Sequence, residues 1–85
     1  MKLLYFAWVR QQVGKGEETL DLPDNITTVA ALAKHLHGLV GGYADAFANP
    51  KRLRAAVNQE HVGFDTRIGP DDEIAFFPPV TGGSR

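Results

Sequence analysis

The strongest constraint on how this chain folds lies near its C-terminal end. There the apolar run Glu73-Ile74-Ala75-Phe76-Phe77 passes straight into Pro78-Pro79 and then Val80-Thr81-Gly82-Gly83-Ser84-Arg85. Proline donates no backbone N–H and fixes φ, so a strand of this sequence has to leave its sheet at Pro78. The two rings favour an extended path, which holds the last six residues away from the body. Gly82 and Gly83 have no Cβ, so a narrow tunnel can close on bare backbone there. Frayed ends and cloning scars are also rich in Gly and Ser, but neither requires Phe-Phe-Pro-Pro to join it to a core. The run predicts a last strand that carries a slim, extended probe.

The rest of the chain supplies the pairing partners of that strand. Lys2 to Val9 is apolar and aromatic, without Gly or Pro, and reads as a first strand with Leu3, Tyr5, Ala7 and Val9 on one side and Lys2, Leu4, Phe6 and Trp8 on the other. Gly14-Lys15-Gly16 signals a turn into a second strand over Glu17 to Leu22, an antiparallel hairpin in which Thr19 pairs across. From Thr28 to His37, Val29, Leu32, Ala33 and Leu36 recur at helical spacing, with Thr27 or Thr28 as N-cap and Gly38 as a left-handed stop. An irregular stretch comes next, with a helical turn around Tyr43 to Phe47. Leu53 to Asn58 reads as a third strand, Val62 to Phe64 as a short edge piece, and Gly69-Pro70-Asp71-Asp72 as the turn into the last strand, Glu73 to Phe77. The order is an α+β plan: a mixed sheet of four to five strands packed on one main helix.

One helix covers one sheet face. The parity that carries Lys2 and Glu73 marks the other, so Leu4, Phe6, Trp8 and Phe77 are expected to point away from the helix. If the first and last strands are neighbours, these side chains form an exposed apolar patch, the usual mark of a partner site. The chain of 85 residues leaves little for a third layer that would cover it.

Charge and composition exclude several function classes. Formal net charge is −1, and the tightest basic group, Lys51, Arg52 and Arg54, has no interleaved aromatics in sequence, which argues against nucleic acid and for a solvated loop. The absence of cysteine removes disulfides, thiolate zinc sites and thiol nucleophiles together, so sulfur chemistry would need a group added to the chain. No metal site is expected: His35 and His37, two apart on a helix, point to nearly opposite sides. Asp71 and Asp72 beside Gly69-Pro70 read as turn chemistry. Neither a signal peptide nor a membrane span is read in the sequence, and a cytoplasmic address is the expectation.

The strings Phe6-Ala7-Trp8-Val9-Arg10, Ala55-Ala56-Val57-Asn58-Gln59 and, above all, Asp72-Glu73-Ile74-Ala75-Phe76-Phe77-Pro78-Pro79-Val80-Thr81-Gly82-Gly83 resemble the small subunit of molybdopterin synthase, the MoaD family of ubiquitin-like sulfur carriers. The resemblance spans nearly the whole chain to Gly83. It implies a ubiquitin-like β-grasp domain over residues 1–78 and a flexible tail over 79–85. It also implies a protein cosubstrate with no active site of its own and no bound cofactor. An adenylating, E1-like enzyme uses ATP to activate the glycine carboxylate, sulfur replaces the adenylate, and the large synthase subunit receives the thiocarboxylate for transfer to a cyclic pyranopterin. On this chain Gly83 would bear the sulfur and Gly82 would thread beside it. Phe6, Phe77, Pro78, Pro79, Val80 and Thr81 would meet the partner, with His61 where the family leads one to expect an apolar residue. A heterotetramer, two of these chains on a dimer of the large subunit, is implied as well.

Ser84 and Arg85 depart from that pattern, because the active form in the family ends at the second glycine. Three readings stand open: proteolytic trimming, residues introduced by cloning, or a different role. Other functions in view are a sulfur carrier for thiamine or tRNA thiolation, and a β-grasp binding module without sulfur chemistry.

Overall fold

The computed structural model describes residues 1–39 and 41–79; the expectations for Val80, Thr81, Gly82, Gly83, Ser84 and Arg85 lie outside them. Strands β1 (Lys2–Tyr5), β2 (Glu17–Thr19), β3 (Arg54–Val57), β4 (Glu60–Val62) and β5 (Glu73–Phe77) form one sheet in the order β2-β1-β5-β3-β4. Of its strand pairs, β1–β5 is parallel and the other three are antiparallel. Helices α1 (Ala7–Val13), α2 (Val29–His37) and α3 (Gly42–Ala46) and a 3₁₀ turn over Pro50–Arg52 complete the described elements. The α+β class and the mixed sheet agree with the expectation, and so does the last strand from end to end.

The sheet's inner parity, Leu3, Tyr5, Ala55, Ile74 and Phe76, packs in one cluster with Val9 of α1, Val29, Leu32, Ala33 and Leu36 of α2, and Ala46 and Phe47. Phe76 is fully buried and meets Phe47 edge-on, ring centroids 4.9 Å apart. Burial of one such ring contributes about 2–3 kcal/mol by transfer alone. The α2 N-terminus is capped as the sequence suggests, Thr28 Oγ1 accepting from Ala31 N at 3.1 Å. Its next free donors are taken up by the loop before β5: Val29 N reaches Thr66 O at 3.1 Å and Ala30 N reaches Phe64 O at 2.8 Å.

Several local expectations are corrected. The first strand ends at Tyr5, and Ala7 at φ 52° turns the chain into α1, which the continuous apolar run conceals. Alanine in that region costs about 1–2 kcal/mol. Val9 N and Arg10 N bonded to the Phe6 carbonyl at 3.1 and 3.3 Å, and the burial of Val9, offset it. Gly14, read as part of a hairpin turn, is the left-handed stop of α1 at φ 93°. Gly38 is right-handed at φ −79°, its N–H shared between the carbonyls of Lys34 and His35. The edge piece begins at Glu60, two residues before the expected position. The two-residue connection from β3 uses Asn58 and Gln59 at φ 51° and 71°, the left-handed pair that a tight hairpin demands. More than one helix covers the inner face, and α1 and α3 are packed so closely that a Cβ on Gly42 would collide with the carbonyl of Gln12.

Candidate functional site

The outer sheet face carries a shallow groove whose shape is set by register. Leu4 of β1 lies beside Ala75 of β5, Ala75 opposite Ala56 of β3, and Ala56 opposite His61 of β4. Directly paired residues point to one side, so these four run across the sheet in a row. The two alanines leave a low floor, Phe6 and Phe77 stand above it, and the concavity so formed measures about 360 Å³. Phe6 is 50% exposed, and it is the large apolar side chain most open to water among the described residues. Phe77 is half-buried and its ring lies 5.0 Å from the His61 imidazole. The exposed imidazole therefore sits in the groove wall beside an aromatic neighbour.

Backbone pairing places the groove at the root of the tail. Phe6 N donates to Phe76 O at 3.1 Å, so β1 holds β5 up to the last residues before the prolines. Pro78 and Pro79, both partly buried, then carry the chain off the sheet beside Phe6. The structure thus brings Leu4, Phe6 and Phe77 together on one face, with Pro78 and Pro79 following directly from Phe77. It does not bring Trp8 there: α1 turns Trp8 away, and its ring is stacked under Arg52 with the guanidinium carbon 5.0 Å from the centroid. Ala56 escapes sequence reasoning, and His61 is brought near this surface there only by the family resemblance, since their place on this face depends on β3 pairing with both β5 and β4. Parity counted from Phe77 finds them once that pairing is known.

The opposite end of the face is tied down by Asn58. Its Nδ2 donates to Asp72 Oδ1 at 3.0 Å, its Oδ1 accepts from Glu73 N at 3.0 Å, and Asp72 Oδ2 accepts from Gly69 N at 2.8 Å. The Asn58 and Gly69 donors hold the Asp72 carboxyl below its usual range. The Gly69–Asp72 bond is the local turn chemistry that the sequence suggests for Asp72, whereas the Asn58 bonds join two turns distant in sequence. A second polar cluster sits on the inner side of the β1–β2 edge, where Tyr5 and Tyr43 both donate to Glu18 Oε2 at 2.6 Å and Lys15 Nζ lies 3.6 Å from Oε1. Burial pushes the Glu18 carboxyl up, but the Tyr43 and Tyr5 hydroxyls and the Lys15 ammonium together outweigh it and hold the group low. Burial, then Glu18 itself, pushes both tyrosines up.

Among the described residues, the groove holds no hydrogen-bonded pair of titratable side chains, and no cluster of three or more His, Asp or Glu side chains gathers anywhere. Nor is any described helix long and apolar enough to cross a membrane. The face offers apolar contact area beside a strand end, the equipment of a docking surface.

A five-stranded mixed sheet with helices on one face and an apolar groove on the other defines a small ubiquitin-like β-grasp protein. The sequence profile of the ThiS family matches residues 3–83, leaving Ser84 and Arg85 outside the match. The molybdopterin synthase sulfur carrier subunit of Escherichia coli is 43% identical over 98% of this chain and 99% of its own length. The corresponding protein of Homo sapiens is 33% identical over 98% and 93%. Among solved structures, a putative molybdopterin converting factor subunit 1 from Pyrococcus furiosus superposes with a TM-score of 0.68 at 26% identity, covering 93% of this chain and 95% of that one. SAMP1 from Haloferax volcanii shares the fold, with a TM-score of 0.71 at 24% identity over 98% of each chain. The chain belongs to the ThiS family, and within it to the molybdopterin synthase sulfur carrier subunits.

Proposed function

We infer that this protein is the sulfur carrier subunit of a molybdopterin synthase, working in the cytoplasm and presenting sulfur on the carboxylate of Gly83. The observation that carries the reading is the near end-to-end likeness to curated sulfur carrier subunits, with a family match that stops at Gly83. The geometry supports it, because β5 delivers the chain off the sheet at Pro78-Pro79 beside the exposed Phe6.

The chemistry explains the residue types. A carboxylate is a poor acyl donor, since its leaving group would be oxide. Adenylation of the Gly83 carboxylate by an E1-like partner, at the expense of ATP, supplies a stable leaving group. A sulfur nucleophile then displaces the nucleotide and leaves a thiocarboxylate. In the large subunit that sulfur bonds to cyclic pyranopterin monophosphate, water then cleaves the acyl C–S bond so that the sulfur stays on the precursor, and the chain returns with a carboxylate. Gly82 allows the tail to thread without a side chain. Phe6 and Phe77 anchor the docked face, with Pro78, Pro79, Val80 and Thr81 leading into the partner. This chain binds no cofactor in the scheme, and the acids and bases belong to its partners. Ser84 and Arg85 have to be removed first, because they block the carboxylate that is adenylated. The assembly is a heterotetramer of two such chains on a dimer of the large subunit.

Reconstitution tests the reading. Protein ending at Gly83, incubated with the adenylating enzyme, ATP, a sulfur donor and the large subunit, converts the precursor to molybdopterin. Protein ending at Gly82 still folds and docks but transfers nothing. Retained transfer by the shortened protein contradicts the assignment, and so does activity with a thiamine or tRNA thiolation partner in place of the large subunit.

A further inference from the structure

Three cations lie in and just before β3, the strand that pairs with the end of β5. Lys51, Arg52 and Arg54 are all exposed. Arg54 is paired with Phe77 in the β3–β5 register, which puts it on the outer face at the edge of the groove. Its guanidinium is braced by the carbonyls of Leu53 and Lys51 at 2.9 and 3.4 Å. Arg52 lies over the ring of Trp8, which stands in the first turn of α1, two residues beyond Phe6. Aromatic stacking and carbonyl bonds orient an arginine without neutralising it. The ion pairs among the described residues are Lys2–Glu17 and Lys15–Glu18, so no described carboxylate engages these three groups. With a net charge of −1 for the whole chain, the concentration is local.

We propose that Lys51, Arg52 and Arg54 form a cationic rim that meets carboxylate side chains on the large synthase subunit, around the opening through which the tail passes. The proposal rests on the carrier reading above. Distance decides the occupant. Gly83 is the sixth residue after Phe77, and a chain spans at most about 3.3–3.6 Å per residue, so a fully extended, threaded tail sets its reacting end up to roughly 20 Å from the strand end. A substrate phosphate or an adenylate at Gly83 is then beyond the reach of side chains at the tail's root, whereas the protein surface at the tunnel mouth is against them. A nucleic acid would call for a longer basic surface than three residues. An apolar centre with a charged rim is also the ordinary layout of a specific interface, in which the rim governs encounter and orientation.

Rapid-mixing association of the Gly83-ended protein with the purified large subunit, at low and at moderate salt, tests this. Charges at a rim act mainly on the association rate. The R52E/R54E protein is expected to associate at least about tenfold more slowly at low salt, with a flatter salt dependence and a dissociation rate within about twofold of the original. K51E/R54E leaves the Arg52–Trp8 stack in place and shows the same direction, which keeps the test decisive if Arg52 proves important for folding. Unchanged association rates and salt dependence in both variants overturn the proposal. Docking at the original rate with slowed sulfur transfer also overturns it, because the cations would then act on the small substrate. If the unsubstituted protein does not bind the large subunit at all, the carrier reading falls first and the rim with it.

Discussion

The amide of Asn58 donates to Asp72 Oδ1 at 3.0 Å and so fastens the β3–β4 turn to the turn that launches β5. Asn58 also accepts from Glu73 N and stands at φ 51°, a backbone region that asparagine tolerates better than most residues. Asn58→Ala removes both bonds and adds backbone strain, with an expected loss of about 1–2 kcal/mol. Asn58→Gly relieves the strain and is expected to cost less than Asn58→Ala. Urea denaturation of the three proteins checks the order, and equal stabilities for alanine and glycine would show that the left-handed conformation contributes nothing.

The Glu18 cluster contributes to the pH dependence of the fold on both sides. Its carboxyl titrates below the ordinary value near 4.5, so the stability it contributes is complete above that pH and is lost as pH falls through the folded-state value. Tyr5 and Tyr43 are shifted the other way, above their ordinary 10.0, so their contribution is complete below about pH 10 and is lost as pH rises beyond it. Melting temperature against pH is expected to show a plateau falling on both sides. Tyr43→Phe lowers the stability on the plateau by about 1 kcal/mol and shallows both falls, while Tyr5 still donates to Glu18. An unchanged acid limb in that variant would mean that the hydroxyl does not hold the carboxyl down.

Docking and folding are separable on the outer face. Phe6 is half-exposed, so Phe6→Ala is expected to change stability by no more than about 0.5 kcal/mol. In binding to the large subunit, Phe6→Ala and Phe77→Ala are each expected to lose over about 2 kcal/mol, roughly thirtyfold in Kd. Calorimetric titration gives the affinity and thermal melts give the stability. Full affinity in both variants would move the docking surface elsewhere.

Much of this arrangement is legible in the residues themselves. The last strand is bounded by a turn and by Pro78, which no ladder can absorb, and its alternation assigns Ile74 and Phe76 to the core without ambiguity. The main helix announces itself through Val29, Leu32, Ala33 and Leu36 and a threonine cap. Helix α1 does not, because seven residues with one fully buried side chain carry too little periodicity to interrupt an apolar run, and the break falls on an alanine, not on a glycine. That single difference moves Trp8 from the groove to the Arg52 stack. Alternation does place Leu4, Phe6 and Phe77 on the outer face, because parity survives up to Tyr5 and the parallel β1–β5 pair keeps register. Ala56 can be assigned only from long-range strand pairing, which local sequence does not encode, and His61 reaches this face in the sequence reading through the family resemblance and not through alternation.

The central claim concerns the carboxylate of Gly83, and the intact mass of the untagged protein from its native cells, taken while the cofactor is being made, tests it most directly. The account predicts a species ending at Gly83, a fraction of it carrying the mass increment for one oxygen replaced by sulfur. A population that retains Ser84 and Arg85 and carries no added sulfur would contradict it.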